Sequence, residues 1–119
     1  MGRITNDFVS TIEGSVFTKA SSDLIVPPTN HIFVGFTTLE ATLFTALTAE
    51  DANRHANTAH AAGDLASGAE TVNEGSGGVQ MTAGGSGDVI PVNCTIFGRY
   101  TGIDVHSGSI IAYYARDGK

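Results

Sequence analysis

The 119-residue chain has no tryptophan, one cysteine, three prolines and only six lysines and arginines. Each shortage excludes something. A lone Cys94 closes no internal disulfide, so no oxidising compartment is implied. No base can be placed beside it, and Cys94 reads as a small buried strand residue rather than a catalytic thiol. Asn93-Cys94-Thr95 has the form of a glycosylation sequon, which matters only in a eukaryotic secretory setting that nothing else in the sequence supports. The cations Arg3, Lys19, Arg54, Arg99, Arg116 and Lys119 are scattered, and the net charge is −6. Displacing counterions from phosphate needs a basic patch, so neither nucleic acid nor an anionic membrane surface is an expected partner. No run approaches the ~20 apolar residues of a membrane span. The first 20 residues show no basic start, apolar stretch and small-residue cleavage site, so no signal routes the chain to a membrane or a secretory pathway.

What is present points to strands. Charged residues make up 15% of the chain, against about 25% in an ordinary globular domain. Thr, Ser, Gly and Ala take their place. Thr favours strands and Gly favours turns and bulges. The length is that of one domain, which buries roughly two-thirds of the surface its unfolded chain exposes. A surface of small uncharged residues is also easy to bury against another subunit, because few ions must be desolvated.

Along the chain, residues 1–14 read as an N-terminal arm with Gly2 and Gly14 at its ends. Ile4, Phe8, Val9 and Ile12 have helical spacing, and an extended arm is the alternative. A single β domain is expected over 15–119. Its first strand is Ser15 to Ala20, and Pro27-Pro28 ends a short apolar run at Asp23–Val26. His31 to Phe36 reads as a strand with Ile32, Val34 and Phe36 on one face and Phe33 on the other. Such a strand is buried on both sides, by a second sheet or another subunit. Thr37 to Thr48 fits a helical stripe and a strand face equally. Its five threonines favour the strand. Residues 49–88 form a Gly/Ala-rich excursion, with a short strand expected at Val79–Thr82 and contact with a neighbour as its role. Short strands follow at Val89–Val92 and Thr95–Phe97. Arg99–Val105 and Ser109–Ala115 flank Ser107-Gly108, which predicts a two-residue hairpin pairing Val105 with Ile110 and Gly102 with Tyr113. The fold class expected is all-β, a small antiparallel β-sandwich or barrel.

The chemistry-bearing residues form no catalytic pattern. Glu74–Gly78 and Gly84–Asp88 lack the lysine of a phosphate loop and the spacing of a dinucleotide fingerprint, and read as turns or linkers. His55 and His60 are five apart rather than the four of a helical metal site. Asp104 and His106 share a strand side, but His106 abuts a turn where a polar residue is expected anyway. Glu40, Glu50, Asp51, Glu70, Glu74, Asp88 and Asp104 single out no carboxylate pair. Arg99 reads as a strand residue bridging strands or subunits. No enzyme activity, cofactor or metal is expected.

Thr95-Ile96-Phe97-Gly98-Arg99-Tyr100-Thr101-Gly102-Ile103, ending in Ser107-Gly108-Ser109-Ile110-Ile111-Ala112-Tyr113-Tyr114, resembles the C-terminal signature of small tailed-phage virion proteins. In them an apolar–aromatic–Gly–Arg–aromatic–Thr–x–Ile run is followed by a Ser-Gly turn and an apolar run with Ile-Ala-Tyr. Leu39–Thr48 is similar, more weakly, to a Thr-rich strand of the same proteins. The resemblance implies a capsid decoration (cement) protein, β-rich and oligomeric, made in the host cytoplasm and carried on the capsid surface of the virion. Its implied partners are itself, as a trimer or dimer, and the major capsid protein or another virion protein. Ile4, Phe8, Ile32, Val34, Phe36, Arg99 and Tyr113 are the expected subunit or partner contacts. A tail, neck or fibre component is the alternative, and a carbohydrate-binding β-sandwich module is the second.

Overall fold

The fold was obtained as a computed structural model, which describes residues 11–20, 23–51, 54–58 and 81–118. Five strands follow one another: β1 (Ile12–Lys19), β2 (His31–Thr38), β3 (Leu43–Ala49), β4 (Thr95–Ser107) and β5 (Ser109–Arg116). They form one antiparallel sheet in the order β1-β5-β2-β4-β3. The all-β expectation holds. The expected N-terminal arm lies outside the described residues up to residue 10, and β1 begins at Ile12, inside the stretch read as arm.

β4 organises the sheet. It pairs with β2 over Thr95–Tyr100 and with β3 over Tyr100–Ser107. Beyond Tyr100 the edge that β2 leaves is taken by Ile25, which exchanges both backbone hydrogen bonds with Ile103 at 2.8 and 3.0 Å. Thirteen residues of β4 thus serve two successive partners on one edge. The sheet curls, and its inner face closes on a core of Phe33, Phe36, Phe44, Leu47, Tyr100, Ile103, Val105, Ile110 and Ala112. Burying each large apolar side chain stabilises the fold by about 1.5–3 kcal/mol.

The hairpin expected at Ser107-Gly108 does not form. β5 pairs with β1 and β2, and β2 lies between β4 and β5. The primed turns of a two-residue hairpin need positive φ at the first central residue. Here Gly108 alone has it, at 96°, and Ser107 does not. The chain therefore turns a corner rather than doubling back.

β2 is buried on both faces at Ile32 and Phe33, as expected, but the faces assigned to Val34 and Phe36 are corrected. Between Phe33 and Gly35 the register shifts on both partners: Val34 is the extra residue against β5, and Gly98 and Arg99 together stand opposite it on β4. A bulge resets the two-residue period. Phe33 and Phe36 consequently enter the same core, both fully buried. β3 shows the same effect. A shift at Phe44/Ala46 breaks the two-residue period and puts both Phe44 and Leu47 in the core.

The two sheet edges differ. Along β3, the Thr58 amide donates to the Leu47 carbonyl at 3.0 Å, and the Leu47 amide donates to Thr58 Oγ1 at 2.8 Å. The Gly84 amide donates to the Phe44 carbonyl at 2.8 Å. The described ends of the 49–88 excursion thus cover the β3 edge. Val79 and Gln80, half of the strand expected there, lie outside the described residues, and Met81 and Thr82 are in no strand. β1, at the other edge, pairs with β5 alone among the described residues.

Candidate interaction face

With the core on one side of the sheet, the register defines what lies on the other. Ser15, Tyr113, Gly35 and Phe97 are successive partners across β1, β5, β2 and β4. Phe17, Ile111, Thr37 and Thr95 make the next row. Neither row contains Lys, Arg, Asp or Glu. Phe17 is 57% and Phe97 60% exposed, values far from those of the core aromatics.

The centre of this outer face is fixed by hydroxyls. Thr37 Oγ1 lies 2.8 Å from Thr95 Oγ1 and 2.9 Å from the Tyr113 hydroxyl. Gly35 sits under the Phe97 ring, where a Cβ would come within 3.3 Å of Cδ1 and 2.8 Å of the Ile96 carbonyl oxygen. A side chain at position 35 would crowd both, so this close approach of β2 to β4 suits glycine. Lys19, Ser109 and Leu39 close the face at one end, since Lys19 pairs with Ser109 and the Leu39 amide donates to the Ser109 carbonyl at 2.9 Å.

At the opposite end, Arg99 ties three elements together. Its Nε donates to Glu50 Oε1 at 2.8 Å, and one terminal nitrogen donates to Asp117 Oδ1 at 2.7 Å. Glu50 follows β3 and Asp117 follows β5. The two carboxylates hold the guanidinium protonated even more firmly than usual. Nearby, Glu13 accepts from His31 Nε2 at 2.7 Å, joining β1 to β2 across β5. The contact holds the Glu13 carboxyl below its ordinary range and the His31 imidazolium above its own. Tyr100 is pushed up to about 12 by burial, and its hydroxyl donates to the Ala56 carbonyl at 2.9 Å.

The residues expected from the sequence as contacts fall in different places. Tyr113 lies on the outer face. Ile32, 2% exposed, pairs with buried Ala115 outside the main core cluster, and Phe36 is in the core of the chain itself. Val34 occupies the bulge, and Arg99 is engaged within the chain. Ile4 and Phe8 lie outside the described residues. Phe17, Thr37, Thr95 and Phe97, which share the outer face, are not among the residues expected from the sequence. Their signal was absent because Ile96-Phe97 and Val16-Phe17 are apolar at both of two successive positions, so periodicity cannot say which one faces out.

Among the described residues, no group of three or more His, Cys, Asp and Glu side chains gathers as a metal site. No helix among them is long and apolar enough to cross a membrane. No family model matches the chain, and no curated protein or solved structure matches it either.

Proposed function

We propose that this chain is a virion structural protein, a capsid decoration (cement) protein that stabilises the shell through repeated protein–protein contacts. One observation carries the reading: an uncharged outer face in which Phe17 and Phe97 are more than half exposed around the Thr37–Thr95–Tyr113 hydroxyl cluster. Uncharged faces are inexpensive to desolvate, and exposed aromatics are the usual anchors of protein interfaces. A small contact per copy suffices when many copies bind one lattice, because repetition supplies avidity. In this reading the chain assembles with itself and with the shell protein, and it performs no catalysis.

Co-sedimentation tests it. Purified protein mixed with capsids of its source phage that lack it should pellet with them, and Phe97→Lys should stay in the supernatant. Wild-type protein left in the supernatant at saturating capsid would sink the shell assignment. If labelled protein instead marks the tail of intact particles, the chain is a tail component.

A carbohydrate-binding module is the second reading, favoured by the same aromatic and hydroxyl groups, which suit stacking and hydrogen bonding to a sugar ring. A glycan array without hits disposes of it.

A further inference from the structure

Among the described residues the outer edge of β1 has no strand partner, and its hydrogen-bonding phase is defined. Lys19 pairs with Ser109, so Ala20 stands opposite Gly108, and the Ala20 amide donates to the Gly108 carbonyl at 3.0 Å. Antiparallel ladders alternate between bonded and non-bonded pairs. Thr18 opposite Ile110, Val16 opposite Ala112 and Gly14 opposite Tyr114 therefore turn their backbone groups toward β5. The Leu39 amide bonding to the Ser109 carbonyl fixes the same phase from the β2 side of β5. The amides and carbonyls of Ser15, Phe17 and Lys19 point away from the sheet, along the outer edge of β1.

This edge carries little of the protection that edge strands usually have. Bulges, prolines and charges normally blunt such an edge. In β1 the bulge is at Glu13 and the positive charge at Lys19, the two ends. Gly14–Thr18 between them has neither charge nor proline, and it includes Phe17 at 57% exposure. The β3 edge, by contrast, is covered by the chain's own segments.

We infer that two copies of this chain pair through β1, antiparallel about a two-fold axis at Phe17, to make one continuous sheet. The occupant is a second copy because the edge is complementary to itself in one register. With Phe17 opposite Phe17 of the second copy, Ser15 stands opposite Lys19 and Lys19 opposite Ser15. Every outward amide and carbonyl from Ser15 to Lys19 then finds a partner in a bonded pair. The two exposed phenylalanines cover each other on the outer face. No like charges are opposed. A shift of the axis to Val16 brings the bulged Glu13 into the ladder, and a shift to Lys19 sets two ammonium groups face to face. Pairing at Phe17 also joins the two outer faces into a platform of eight strands, roughly 38 Å wide at the usual spacing of about 4.8 Å. The inference deepens the self-association in the proposed function and rests on it, but not on the assignment to a shell.

Native mass by light scattering across a concentration series tests this, with three variants. Wild-type protein should show twice the chain mass. Phe17→Lys sets two ammonium groups across the axis and should weaken dimerisation at least about tenfold. Ser15→Pro removes only an outward amide, a change edge strands tolerate, and should weaken it similarly. Phe97→Lys, on the same face but away from the edge, should leave the dimer intact. Circular dichroism and thermal unfolding equal to wild type confirm that the variants are folded. A wild-type monomer or trimer overturns the inference, and so does a dimer that survives both edge variants. A dimer lost only in Phe97→Lys would place the contact face to face instead. A dimer that fails to bind capsids sinks the shell assignment alone, and a capsid-binding monomer sinks this inference alone.

Discussion

Phe36 on β2 and Phe44 on β3 meet at a centroid distance of 5.3 Å, inclined at 68°, although β4 lies between their strands. Strands two places apart in a flat sheet are about 9.6 Å apart. The ring contact is therefore a direct consequence of the curl that β4 imposes. Both rings are at most 1% exposed. Phe36→Ala and Phe44→Ala should each cost about 3–5 kcal/mol in urea unfolding. The double variant should cost less than the sum, by about 0.5–1.5 kcal/mol of edge-to-face pairing. Strict additivity would mean that the rings do not share the curl.

The corner between β4 and β5 makes a second prediction, by comparison of two glycines. Gly108 has φ at 96°, and a Cβ there would collide with the Ala41 carbonyl oxygen and Thr42. Gly84 has φ at 85° and open space around the same position. Gly84→Ala should cost only the left-handed conformation, about 1–2 kcal/mol. Gly108→Ala adds a backbone collision that cannot relax by turning a side chain. Its midpoint in urea should fall well beyond that of Gly84→Ala. Equal losses would show that the corner is free to open.

Much of this architecture is legible in the chain, and the failures have physical causes. β1, β2 and β5 stand where runs rich in β-branched and aromatic residues are expected to be strands. The pairing of β4 with β5 was misread because Ser107-Gly108 satisfies the local rules of a hairpin. Those rules concern one turn and two neighbouring strands. They omit β2, whose Phe33 and Phe36 reach the core by lying between them. The bulge at Val34 left no local mark, since Ile32-Phe33-Val34 is apolar throughout. The outer face depends on the same two facts. Only once β2 is central and bulged do Gly35, Thr37, Phe97 and Tyr113 come together. Arg99 was legible as a bridge between strands, because a guanidinium in a chain so poor in cations has carboxylates to find.

The contact between Glu13 and His31 should make stability depend on pH in both directions. His31 has its folded pKa raised above the ordinary 6.5, chiefly by the hydrogen bond to Glu13. Its contribution is fully present below that value and is lost as pH rises through the folded pKa. Glu13 has its folded pKa lowered from 4.5, chiefly by the hydrogen bond to His31. Its contribution is present above 4.5 and is lost as pH falls through the folded value. Wild-type protein should therefore gain most over Glu13→Gln between about pH 4.5 and 6.5. Thermal unfolding of both across pH 3 to 9 would show the difference shrinking at each end. A constant difference would mean that the pair does not titrate with folding.

Arg99 offers a sharper distinction, because its role depends on shape as well as charge. Its side chain is 34% exposed, and those of Glu50 and Asp117 are 24% and 21% exposed. Pairs this sheltered lie between exposed ones, worth at most about 1 kcal/mol, and buried ones, where loss of one partner costs about 3–5. Arg99→Ala should cost about 1–3 kcal/mol, since the charge-assisted contacts to Glu50 and Asp117 are both lost. Arg99→Lys keeps the charge, but a single ammonium lacks the planar fork that reaches Glu50 and Asp117 together. It should recover less than half of the loss. Salt should narrow the gap between wild type and Arg99→Ala only modestly, because sheltered pairs are weakly screened. A lysine variant as stable as wild type would mean that charge alone holds the ends of β3, β4 and β5, and that the guanidinium geometry contributes nothing.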